Sequence, residues 1–164
     1  MRRSAAFRLD ASPAIGGGHA MRCLTLAGGL TKAGFDCSFY VNPEFAAVVP
    51  PDAARLFPNV VLERDQQFSQ VLATHAPHGV DLVVYDHYLL DAVDERSTAN
   101  LTRLTFVFDD LVDRPHTCQI LLDQTVGRDP EDYAALVPAD CDRLAGGDFA
   151  LLRPEFGEHR DRAL

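Results

Sequence analysis

Phe7-Arg8-Leu9-Asp10, followed by Ile15-Gly16-Gly17-Gly18-His19 and Arg22, decides how this chain reads. Phe7 and Leu9 alternate with Arg8 and Asp10, the two-residue period of a strand. Leu24, Leu26, Ala27 and Leu30 then recur at helical spacing, so a first strand passes to a first helix through a glycine-rich turn. His19 falls in the first turn of that helix. There the unpaired amides and the positive end of the helix dipole favour an anion, and glycines let a diphosphate approach the backbone. No Gly-Lys-Ser/Thr closes the run and the third glycine of a dinucleotide fingerprint is missing, so neither ATP nor NAD is supported.

Glycines alone mark a tight turn in any α/β protein, and His19 shifts that balance. The helix end disfavours its charged form, which leaves a neutral imidazole able to take a proton from water; a bound diphosphate pulls the other way.

Outward from this turn, strand-like runs recur at Cys37 to Val41, Val60 to Leu62, Asp81 to Tyr85, Leu104 to Phe108 and Gln119 to Leu122, after a first at Ala5 to Leu9. Helical segments are expected at His19 to Ala33, Gln66 to His75, Val93 to Leu101 and, briefly, Glu131 to Leu136, with Pro43, Pro50-Pro51, Pro58, Pro77 and Pro115 read as loop punctuation. The alternation predicts an α/β fold: a parallel sheet with helices on both faces. Leu82 to Tyr85 and Phe106 to Phe108 are continuously apolar, as strands buried on both faces are, and each ends in acid: Asp86, then Asp109 and Asp110. Ligands bind beyond the carboxyl ends of strands in such sheets, so these ends are expected to converge on one crevice.

The 164 residues suffice for one ordinary domain. A net charge of -9 repels nucleic-acid phosphate and anionic membranes, and no basic run exceeds Arg2-Arg3, so neither is expected as a partner. Cys23, Cys37, Cys118 and Cys141 are scattered without zinc-ligand spacing and read as buried thiols in a reducing compartment. No signal peptide and no apolar run of membrane-spanning length is seen, and a cytoplasmic location is expected. From Glu155 the sequence turns abruptly charged and reads as the start of a linker, with residues 1–154 as the domain.

Several segments together resemble one family, the UDP-2,4-diacetamido-2,4,6-trideoxy-beta-L-altropyranose hydrolases of pseudaminic acid biosynthesis, related to glycosyltransferases of the GT-B fold. The likeness is carried by Phe7-Arg8-x-Asp10, Ile15-Gly16-x-Gly18-His19-x-x-Arg22, Asp86-His87-Tyr88, Phe108-Asp109-Asp110, Cys118-x-Ile120-Leu121-Leu122, Asp132-Tyr133-x-x-Leu136-Val137-Pro138 and Ala150-Leu151-x-Arg153-x-Glu155-Phe156. It implies a Rossmann-like domain forming the N-terminal half of a GT-B fold. The second, UDP-binding domain is absent from this sequence and is expected from a longer chain or a partner chain. The implied reaction is inverting hydrolysis of a UDP-sugar, with no metal and no cofactor.

His19 matches the family's catalytic histidine. Arg8, Asp10, Gly16, Gly17, Gly18, Arg22, Asp86, His87, Tyr88 and Asp110 are the substrate-binding candidates. Asp10 is expected to orient the His19 imidazole or hold a sugar hydroxyl, and Arg22 to steady negative charge. His87 and Tyr88 are expected to line a sugar pocket. Read without the family, Asp109 and Asp110 are strand-end carboxylates capping the next segment, or else metal ligands. His75, His78, His116 and His159 are assigned no chemistry. The alternatives are a GT-B transferase half and a non-catalytic sugar-binding or partner-docking domain.

Overall fold

The computed structural model describes residues 2–152. Seven strands form one sheet, in which every pairing is parallel: β1 (Arg3–Leu9), β2 (Phe35–Val41), β3 (Asn59–Val61), β4 (Val80–Asp86), β5 (Thr102–Phe108), β6 (Ile120–Asp123) and β7 (Asp142–Ala145), in the order β3-β2-β1-β4-β5-β6-β7. This is a Rossmann-like α/β sheet, and the helices divide between its faces because successive side chains on a strand point to opposite sides. Ala5, Phe7 and Leu9 pack with α1 (Gly18–Lys32), through Ala20, Cys23, Leu24 and Ala27, and with Phe45 of the one-turn α2 (Phe45–Val48). Ala6, Val83, Tyr85 and Val107 face the other way, against Phe68 and Leu72 of α4 (Phe68–His75). A shared capping box of Asp91 and Asp94 starts α5 (Ala92–Ser97).

Three features depart from the sequence reading. β7 was not expected; Asp142-Arg143-Leu144-Ala145 has little apolar signal because it is an edge strand paired only with β6. The prolines read as loop include Pro51, which begins the one-turn helix α3 (Pro51–Ala54), a position where a missing N–H costs nothing. The segment expected as a helix from Glu131 is a 3-10 turn over Pro130–Tyr133. Arg153 and Glu155, and the expected linker, lie outside the described residues. No helix among the described residues is long and apolar enough to cross a membrane.

The order places β1 beside β4 while the connections leaving β1 and β3 run to opposite sides, which opens the crevice of a switch point at their carboxyl ends. Register then lines up what leaves those ends. Leu9 pairs with Val41 and with Asp86, Asp86 with Phe108, and Phe108 with Leu122. The residues that follow, Asn42, Asp10, His87, Asp109 and Asp123, therefore form a polar row across the top of the sheet.

Candidate active site

Gly16 adopts φ +87°, a left-handed conformation that favours glycine, and its amide donates to the Ser12 carbonyl at 2.6 Å. This closes the turn so that α1 begins two residues later. An added Cβ at Gly18 would meet nothing within 4 Å, which leaves the helix end open on that side. At Gly17 it would make only an ordinary contact with the Val48 carbonyl.

His19 is buried on the first turn of α1, and neither ring nitrogen has a hydrogen-bond partner in the protein. Its Nδ1 lies 3.4 Å from Asp86 Oδ1, and the Tyr88 ring stands edge-on to the imidazole with centroids 4.5 Å apart. Burial holds its pKa below the ordinary histidine value, an effect that Arg22 reinforces and that the pull of Asp86 and Asp110 does not offset. The ring is neutral at pH 7.

Asp86 is completely buried and anchors this group. Arg22 forks onto it, Nε to Oδ2 and Nη2 to Oδ1 at 2.6 Å each, and reaches Asp110 Oδ2 at 3.3 Å. The thiol of Cys23 donates to the same carboxylate at 3.4 Å. Arg22 is thus already met by Asp86 from beneath the site. The carboxylate beside His19 is Asp86; Asp10, expected to orient the imidazole or to hold a sugar hydroxyl, does not do the first.

Asp10 instead accepts from His87 Nε2 at 2.8 Å and from Arg8. His87 Nδ1 accepts from the Leu89 amide at 2.9 Å, so Nε2 carries the proton and the tautomer is fixed. Although burial opposes it, the bonds from His87 and Arg8 bring the Asp10 carboxyl down to about 2. Arg8, Asp10 and His87 line a groove of about 420 Å³ with Asn42, Glu44 and Arg64. His87 and Tyr88, adjacent in sequence, serve different neighbours: His87 meets Asp10 and Tyr88 meets His19.

Asp109 does cap the segment after β5, accepting from the amides of Leu111 and Val112, and Val112 takes a positive φ of 57°. A second buried group surrounds it. Arg114 pairs with Asp109 at 2.9 Å, and the Tyr133 hydroxyl is shared between Asp109 and Asp123 at 2.9 Å to each. Arg128 pairs with Asp123 and donates to the Asp110 carbonyl at 3.0 Å. His116 binds Glu95 through Nδ1 at 2.6 Å, with its Nε2 3.8 Å from Asp109. Burial works against its charge, but the carboxylates of Asp109 and Glu95 outweigh burial and hold the pKa up to about 9.

His116, Glu95 and Arg114 escaped the sequence reading. Within Arg114-Pro115-His116 nothing points to a glutamate 21 residues earlier. Tyr133 lay inside a quoted motif, but without its role.

A buried histidine without a partner in the protein thus stands at an open helix N-terminus beside the switch point of a parallel sheet, the region where sheets of this kind take ligands. The sequence is similar to that of a sugar-nucleotide hydrolase. It is 32% identical over 152 residues to the UDP-2,4-diacetamido-2,4,6-trideoxy-beta-L-altropyranose hydrolase of Campylobacter jejuni subsp. jejuni serotype O:2, and this match covers 92% of the chain. The resemblance found in separate motifs thus extends over nearly all of the sequence. The chain spans about half the length of that hydrolase, 52%. No family model matches the chain.

Proposed function

We propose that this chain is the N-terminal half of a cytoplasmic enzyme that hydrolyses UDP-2,4-diacetamido-2,4,6-trideoxy-beta-L-altropyranose. The products are UDP and the free sugar, which is destined for pseudaminic acid on flagellin or surface polysaccharide. The observation that carries this reading is His19, buried with both nitrogens unpartnered at the start of α1. A buried polar group without a partner costs about 1–3 kcal/mol, a cost that a bound water or ligand relieves.

In this reading the diphosphate rests at the open amides before His19, where Gly18 leaves room. Diphosphate is already a good leaving group and needs no general acid, whereas water needs a base as it attacks the anomeric carbon. Neutral His19 takes that proton at one ring nitrogen while Asp86 faces the other and balances the imidazolium that forms. Attack from the side opposite the diphosphate inverts the anomeric centre, and no metal is required. Asp10, His87 and Arg8 form one wall of the adjoining groove and offer polar groups to sugar substituents.

The UDP moiety is gripped by a second domain in GT-B fashion, supplied by a longer polypeptide or by a partner chain. The loops after β1, β4, β5 and β6 support this, since each exposes an apolar side chain on the same rim: Ile15, Leu89, Leu111 and Val126. The test is UDP release by the complete enzyme with water as the sole acceptor. Steady turnover with a free reducing sugar as product supports hydrolysis; release only when a sugar or lipid acceptor is added makes the protein a transferase.

A further inference from the structure

We infer that Arg114 is a positioning residue that holds Tyr88 against the His19 imidazole. Its guanidinium brackets the loop after β4: Nε donates to the Leu90 carbonyl and Nη2 to the His87 carbonyl, both at 2.9 Å. These two carbonyls flank the segment that carries Tyr88. The third nitrogen, Nη1, is held by Asp109 at 2.9 Å and by Asp113 at 2.8 Å. Asp109 is itself tied down by Tyr133 and by the Val112 amide, so the clamp stands on the rigid end of β5.

The far side of the same loop is fixed independently. His87 is pinned between Asp10 on the loop after β1 and the Leu89 amide within its own turn. With His87 held from one side and two carbonyls from the other, the backbone that carries Tyr88 is fixed, and from it the ring stands edge-on to His19. A planar fork with fixed donor directions meets two carbonyls and two carboxylates at once. A lysine ammonium, a point charge on a flexible stem, does not reproduce that geometry.

The geometric part of this inference stands on the contacts alone, and its consequence for turnover rests on the hydrolase reading. The test is NMR of this chain as the parent and as Arg114→Lys. In the parent, the expected results are a slowly exchanging Arg114 Nε–H correlated across a hydrogen bond to the Leu90 carbonyl, and contacts between the Tyr88 and His19 rings. In Arg114→Lys, those ring contacts and the ring-current shift on His19 are expected to vanish, while signals from β1, β2 and α1 beyond its first turn stay in place.

A folded Arg114→Lys that keeps the Tyr88–His19 contacts overturns the inference. If the variant does not fold, the parent decides: an Arg114 Nε–H exchanging as fast as that of a free guanidinium overturns the clamp. In the complete enzyme the variant is expected to lose about tenfold in kcat with KM within twofold, the split expected when only the reacting geometry is loosened. A parent that is inactive on UDP-sugar but shows the predicted NMR contacts refutes the hydrolase reading and leaves the clamp standing.

Discussion

Among the described residues two histidines lie buried at the carboxyl end of the sheet, His19 at 5% exposure and His116 at 4%, and one is neutral where the other is charged. His19 has neither nitrogen bonded, and burial keeps it neutral. His116, equally buried, is bonded to Glu95 and faces Asp109, and those carboxylates keep it charged to about pH 9. Burial alone therefore does not set the state of an imidazole; what matters is whether a carboxylate is hydrogen-bonded to the ring. Asp86 directs its hydrogen bonds to the Arg22 fork and stands 3.4 Å from His19 without bonding it, so its pull on the ring does not offset burial. The result is one histidine built into the frame and another left available for chemistry.

The largest expected break of this contrast is His19→Asn in the complete enzyme. Turnover should fall by about 10²–10⁴-fold, the usual worth of a general base. Because the ring makes no hydrogen bond to lose, stability should change by less than about 1 kcal/mol. Urea unfolding together with steady-state kinetics checks both, and near-parental turnover would remove His19 as the proton acceptor. Glu95→Ala should do the reverse, stranding a buried His116 cation and the Thr117 amide that Glu95 also accepts from. A loss of about 3–5 kcal/mol in urea unfolding is expected, as for a broken buried ion pair.

Stability against pH sharpens the same comparison at intermediate size. The folded pKa of His116, about 9, lies above the unfolded value of about 6.5. Its contribution is therefore complete below about pH 6.5 and is lost as pH rises through 9. Asp10 behaves oppositely: lowered to about 2 from an unfolded value of about 3.9, it contributes above pH 3.9 and fades as pH falls toward 2. Urea midpoints across pH 2–10 for the parent, His116→Gln and Asp10→Asn should show the alkaline limb flattened in the first variant and the acid limb in the second.

The smallest expected effect is on His19 itself. Tyr88→Ala uncovers the ring, so its pKa should rise toward about 6.5, because burial is the main cause of its lowering. An NMR titration that left the pKa unmoved would show that Tyr88 does not shield it.

Much of this site was legible in the chain. Gly16 before His19, and carboxylates at the ends of apolar runs, located the rim and its histidine without any knowledge of topology. The partner of His19 was not legible, because Asp10 is nine residues away in sequence and Asp86 sixty-seven, and proximity in sequence favoured the wrong one. Asp10 was claimed by His87 through the pairing of Leu9 with Asp86, a matter of strand register. β7 was missed for a related reason, since an edge strand can be half charged and still pair.

The periodicities of two and 3.6 residues and the glycine turn determined by themselves a parallel α/β sheet with a histidine at the head of its first helix, because those signals act over a few residues. The folded arrangement decided which carboxylate each cation meets, and with it which histidine is charged. That choice depends on distances between strand ends far apart in the chain, and on a poorly solvated interior where a carboxylate hydrogen-bonded to the ring at 2.6 Å outweighs the cost of burying charge and one at 3.4 Å does not.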